Sequence, residues 1–237
     1  MKKALILLLI LTLVLSFAAC GEGEEKETTT PSTTAAPTET KGEHEHKLGD
    51  WKVYTQPSNY TPGESRKTCD GCDEYESKKL YDMMFFHYAN IARELGGFTT
   101  ENKPDVGEII NAALLNGVER TTTQEGVSAI HRVTVANMND FTTKCLGFTC
   151  DYTGVKDLDV LWESVCDYDA ATDSLVITAQ PIGGDEGSTI DNVEFTTDDE
   201  IHFEVTVTYI NPEGDPWYAT LIVELVGENY IIKEHIW

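Results

Sequence analysis

The chain reads Ile201-His202-Phe203-Glu204-Val205-Thr206-Val207-Thr208-Tyr209 and, a turn later, Trp217-Tyr218-Ala219-Thr220-Leu221-Ile222-Val223-Glu224-Leu225. Ile201, Phe203, Val205, Val207 and Tyr209 fall on every second position, with His202, Glu204, Thr206 and Thr208 between them. Trp217, Ala219, Leu221, Val223 and Leu225 repeat the pattern. A period of two sends each set to one side of a pleated strand. Both stretches therefore predict antiparallel strands with one dry face and one wet face. The turns are explicit: Thr197-Asp198-Asp199-Glu200, Asn211-Pro212-Glu213-Gly214-Asp215-Pro216 and Gly227-Glu228-Asn229. Leu175, Ile177 and Ala179 alternate in the same way, and Tyr230 to Trp237 ends the chain as a further strand. The expectation is a meander of four or five antiparallel strands.

Upstream the period lengthens. Leu80, Met84, His87/Tyr88, Ile91 and Leu95 recur at helical spacing, and Gly96-Gly97 stops the helix. Asp105 caps a second helix, with Ile109, Ile110, Ala113 and Leu114 inward and Gly117 at its end. Ile130 to Val135 reads as a short strand. Asn137 is the expected cap of a third helix, with Met138, Phe141 and Cys145 on one face and Gly147 as its left-handed stop. Helices first and strands later predict an α+β domain over residues 79–237, its N-terminal helices packed on one face of the meander. This plan resembles extracytoplasmic domains of small Gram-positive lipoproteins, some of which lay helices across a cone-shaped sheet like nuclear transport factor 2. The resemblance is one of fold and implies no function.

The N-terminus has a different character. Lys2 and Lys3 precede an apolar run from Ala4 to Leu15, broken only by Thr12, and then Ser16-Phe17-Ala18-Ala19-Cys20. A basic start, an apolar middle and small residues before the cut predict a signal peptide over 1–19. The run falls short of the roughly 20 apolar residues a membrane span needs. Ala-Ala-Cys resembles the lipobox of bacterial lipoproteins, with Phe17 where the family usually has Leu. The resemblance implies cleavage before Cys20, diacylglycerol on its sulfur, and attachment to the outer face of the cell membrane. After Cys20, residues 21–40 hold seven Thr, five Glu and two Pro and no large apolar side chain. Such a stretch cannot bury enough surface to offset its ordering entropy, so 20–45 is expected to be a lipidated, disordered linker.

Residues 46–78 carry their own signature: His46, Trp51, Pro57, Gly63, Arg66, Cys69 and Cys72. The spacing resembles a short repeat of Gram-positive surface proteins, H-x4-W-x5-P-T-C-x3-G followed by a basic residue and C-x2-C-G. Asn59 stands where the repeat has its first cysteine, and Asp73 where it has a glycine. A C-x-x-C turn sets two thiolates on one side of a knuckle, and Gly71 permits the bend. Zinc takes four ligands, so Cys69, Cys72 and His46, with His44 as a fourth, form a candidate zinc set. A Cys69–Cys72 disulfide, a pair of idle thiols and a redox-active pair are the other readings, and spacing alone does not choose among them.

Charge narrows the partners. The chain has 17 Lys+Arg and 41 Asp+Glu, and loss of Lys2 and Lys3 with the signal peptide leaves a net charge near −26. Phosphate-based nucleic-acid binding needs clustered Lys and Arg, so it is disfavoured, as is charge-driven docking on an anionic bilayer. Five cysteines remain beside Cys20, an odd number. The sequence holds no G-x-S-x-G, H-E-x-x-H, Walker loop or G-x-G-x-x-G. Gly183 to Gly187 reads as a turn-rich loop. Asp151, Asp157, Asp159, Asp167, Asp169 and Asp173 lack the spacing of a calcium loop and read as solvated acids. The expected function is a lipid-anchored surface protein acting as a non-catalytic binding module for a protein or cell-wall partner. The alternative is an exported hydrolase or redox helper using a pocket between helices and sheet.

Overall fold

A computed structural model describes residues 47–161, 164–179 and 187–237. The signal peptide, Cys20, the linker, His44, His46 and most of the Gly183–Gly187 loop lie outside the described residues. Within them, β1 (Lys52–Thr55), β2 (Gly63–Thr68) and β3 (Tyr75–Leu80) lead to α1 (Asp82–Leu95) and α2 (Val106–Leu115). Next come β4 (Thr121–Glu125), β5 (Ser128–Thr134), α3 (Val135–Leu146), β6 (Leu158–Val160), β7 (Ser164–Asp169) and β8 (Ser174–Ala179). β9 (Thr189–Thr197), β10 (His202–Ile210), β11 (Pro216–Val226) and β12 (Asn229–Ile236) complete the order. The strands form three antiparallel sheets, β1-β2-β3, β4-β5-β8-β7-β6 and β12-β11-β10-β9, so the chain is mixed α+β. The boundary read at 78/79 falls inside β3.

The two quoted stretches are β10 and β11, paired so that Val205 faces Leu221 and Val207 faces Ala219. Phe203, Val205, Val207, Tyr209, Leu221 and Val223 are fully buried. Each such side chain contributes roughly 1.5–3 kcal/mol relative to exposure. The strand at Leu175 does not join this meander. Asp169 and Asp173 close a tight turn that hands β8 directly to β7, and β5 takes its other edge. A short hairpin is made before a distant pairing, so sequence proximity decides the partner. β4 is exposed along its whole length and β6 has only three residues, so neither carries a hydrophobic period.

Met84, Phe85, Tyr88, Ile91 and Leu95 of α1 are buried. The Phe85 ring lies 4.9 Å from Phe195 and 5.2 Å from Phe203. Tyr88 Oη donates to the Tyr230 carbonyl at 2.7 Å, and Tyr209 Oη donates to the Ala89 carbonyl at 2.9 Å. α2 starts with a capping box: Asp105 accepts from the Glu108 amide at 2.8 Å, and Glu108 accepts from the Asp105 amide at 2.9 Å. α3 begins earlier than expected. Thr134, not Asn137, is its cap, accepting from the Asn137 amide at 3.1 Å. Thr134 is the last residue of β5 and already extended, so the strand feeds the helix without a loop. Gly147 ends α3 in the left-handed region at φ 74°.

A β-bulge governs β12. Ile232 pairs with Val223 but Glu234 pairs with Ile222, which leaves Lys233 as the extra residue. The bulge reverses the side-chain alternation. It turns His235 toward Leu221 and the core, where simple alternation would leave it solvated.

Candidate functional site

The three-stranded sheet holds the cysteine knuckle. Gly63 begins β2 against Pro57 and Thr55, where a Cβ would sit 2.7 Å from backbone atoms of both. At the other end of β2, Leu48 bridges Cys69, and Gly49 N donates to the Thr68 carbonyl at 3.1 Å. The Cys69 amide donates to the Glu74 carbonyl at 3.0 Å and closes the turn over Asp70 to Asp73. Both cysteines are thiols, Cys69 buried and Cys72 half-buried. A hydrogen bond at the Glu74 backbone pulls the Cys72 thiol down. Burial and the hydrogen-bonded Cys69 thiol outweigh it, and the group sits above its ordinary value. Two sulfur donors of the proposed zinc set thus converge. Among the described residues no three His, Cys, Asp or Glu side chains form a metal-holding group, and His44 and His46 lie outside them.

Both faces of this sheet carry rings beneath cations. Arg66 lies 3.5 Å from the Tyr54 ring centroid and 4.3 Å from that of Tyr75, and its Nε bonds Glu64 at 2.5 Å. The next residue along the strand points to the opposite face. There Lys67 and Lys78 approach the Trp51 ring at 4.9 and 4.8 Å. Tyr54 is 65 % exposed. Residues 47–80 hold six Lys/Arg and six Asp/Glu, whereas residues 81–237 hold seven and 28.

The histidines are dispersed. His87 is half-buried, edge-on to Tyr60 at 5.1 Å, and burial lowers its pKa. His202 is exposed, 3.4 Å from Glu224 across the strand pair. His235 is buried. Its Nδ1 meets the Gly96 carbonyl at 2.7 Å, and burial lowers its pKa. His131 Nδ1 meets Thr122 Oγ1 at 2.9 Å; burial and, less, Arg120 lower its pKa. The remaining cysteines are thiols: Cys145 and Cys166 are buried and Cys150 half-buried. Burial pushes Cys166 up to about 12 and Cys145 higher still. The loop acids serve their own turns. Asp151 accepts from Thr153, Asp167 from the Asp157 amide, and Asp169 from Ala171, Thr172 and Arg132.

One small cleft brings reactive types together. Between the end of α2 and the five-stranded sheet, Leu114, Leu115, Leu161 and Ile177 enclose about 100 Å³ with Arg120, His131 and Ser164 at the wall. Arg120 Nη1 also donates to the Leu114 carbonyl at 2.6 Å. Sequence reasoning singled out neither Arg120 nor Ser164. Ser164 meets His131 through the pairing of β5 with β8 and of β8 with β7, while Arg120 stands at the start of the β4–β5 hairpin, and no local motif signals either. No family model, no curated protein and no solved structure matches this chain.

Proposed function

We propose that the chain is a lipid-anchored protein of the outer membrane face whose folded part is a non-catalytic binding module. Residues 1–19 export it, Cys20 carries the lipid, and 20–45 hold the folded part off the bilayer. A diacylglycerol supplies two acyl chains, enough for stable anchoring. What supports binding over catalysis is the dispersal of the reactive side chains. His87, His131, His202 and His235 each meet a different partner, and the buried thiols are held protonated. A protein or cell-wall component is the partner class, and the negative charge disfavours nucleic acid. Within the α+β class we read the helices as lying across one face of the four-stranded meander, like nuclear transport factor 2. The hydrogen bonds of Tyr88 and Tyr209 support that reading. Cells fed a clickable fatty acid should label the wild type, and Cys20→Ala should lose the label and enter the medium. A Cys20→Ala protein retained on the membrane with residues 1–19 uncut would refute the lipid anchor.

Two observations favour narrower readings. The hydrogen-bonded Cys69–Cys72 pair suits a zinc knuckle completed by His46 and His44. Purified protein would then carry about one zinc, and Asn59→Cys would tighten it; reduced protein that holds no metal in either form ends the idea. The Arg120–His131–Ser164 cleft suits an exported hydrolase. That reading requires ester hydrolysis that falls with His131→Ala and with Ser164→Ala.

A further inference from the structure

A second hollow lies between the loop after α1, the end of α3 and β12. It encloses about 280 Å³, and its lining includes Phe98, Lys103, Leu146, Phe148, Ile232 and Lys233. Phe98, Leu146 and Ile232 are buried and form an apolar floor. The walls are fixed by backbone. Phe98 and His235 exchange both amide hydrogen bonds at 2.9 Å, and the Thr99 amide donates to the Asn102 carbonyl at 3.0 Å. On the far side, Gly147 is pressed against Ile231, where an added Cβ would lie 3.2 Å from its methyl.

The charge of this hollow runs against its surroundings. Residues 81–237 contain 28 acidic side chains and seven Lys/Arg. Among the described residues none of the acids lines the hollow, and two of the seven cations do. Lys103 has no carboxylate within 4 Å among the described residues; its ammonium stands 4.6 Å from the Phe148 ring centroid. Lys233 shares Glu224 at 3.7 Å, and Thr100 reaches Glu234 at 3.4 Å, both acids outside the lining. An apolar floor with a few convergent polar groups is the usual form of a small-molecule site. Two lysines set its sign, since a lysine recognises an anion as a point charge.

We propose that this hollow binds a small aromatic carboxylate, its ring on the apolar floor of Phe98, Leu146 and Ile232 and its carboxylate against Lys103 and Lys233. The proposal rests on the binding-module reading and gives it a ligand class. The two cations lie about 130 residues apart in sequence and share the hollow because β12 runs beside the loop that follows α1.

Calorimetry on the purified full chain tests it, with benzoate as probe, benzamide as the neutral isostere and inorganic phosphate as the ringless anion. Benzoate should bind at least tenfold tighter than either. Lys103→Gln and Lys233→Gln should each weaken it about tenfold with an unchanged melting temperature, and Lys156→Gln, an exposed lysine away from the hollow, should leave it unchanged. Equal binding of benzamide, equal binding of phosphate, no binding of benzoate, or indifference to both lysine variants overturns the proposal. Ester hydrolysis dependent on His131 and Ser164 would instead overturn the non-catalytic reading and leave the benzoate result standing.

Discussion

The sheet β1-β2-β3 and the sheet β9–β12 are both antiparallel meanders, yet they are held in opposite ways. In the second, Phe203, Val205, Val207 and Tyr209 of β10 and Ala219, Leu221 and Val223 of β11 are buried, and the Phe85 ring lies 5.2 Å from Phe203. In the first, every residue of β1 is exposed, and Trp51, Tyr54 and Tyr75 keep their faces under Lys67, Lys78 and Arg66. One sheet gains from area removed from water. The other gains from cation–π contacts, each about 0.5–1 kcal/mol at an exposed site. On this account the wet sheet is the less firmly held of the two and the first to open.

Substitutions should separate the two regimes. Phe203→Ala should cost about 3–5 kcal/mol and lower the melting of the whole body, because it opens a cavity among Phe85, Tyr81 and Tyr230. A loss below about 1 kcal/mol in a denaturant titration would mean that this face is not close-packed. Thr134→Ala should cost about 1 kcal/mol, the usual value of a helix cap, while Asn137→Ala should not act through the cap. Trp51→Ala should cost about 1 kcal/mol, in the first sheet alone. Tryptophan fluorescence and far-ultraviolet dichroism can be compared to see whether the transitions part.

Protonation sharpens the same contrast. Burial lowers the pKa of His235, so the folded form disfavours the charged ring. The unfolded chain then binds more protons below the ordinary histidine value of about 6.5. The body should hold full stability above that value and lose some as pH falls toward the folded pKa. In His235→Phe the decline between pH 7 and 5 should shrink, and an unchanged pH profile would rule out His235 as its source. Asp169 and Asp199 have lowered values, the first chiefly from the Thr172 hydroxyl and the second from the His202 amide. Their contributions are present above the ordinary carboxylate range and disappear only at more acid pH.

What could be read from the residues follows this division. β10 and β11 were legible because a two-residue period reports a sheet with one dry face. Asp105 with Glu108, and Gly147 as a left-handed stop, were legible because helix ends are local chemistry. Thr121 to Glu125 was not, since a strand exposed on both faces carries no hydrophobic period. Burial of His235 depends on the extra residue Lys233, and a one-residue bulge leaves no mark in composition. The C-x-x-C was visible as a motif, while its ring-and-cation frame needed the register of β2 with β3. The hollow around Lys103 and Lys233, and the meeting of Arg120, His131 and Ser164, arise from tertiary contacts between distant segments.

Amide hydrogen exchange on the full chain tests the contrast between the two sheets most directly. Amides of Phe203 to Tyr209 and Ala219 to Val223 should exchange only through global unfolding, with protection that falls in step with denaturant. Amides of Lys52 to Thr55 and Gly63 to Thr68 should exchange by local opening, at least a hundredfold faster and with little dependence on denaturant. Equal protection and equal denaturant dependence in the two sheets would contradict the account, because a sheet framed by exposed rings and cations would then be as firmly held as one closed over a dry core.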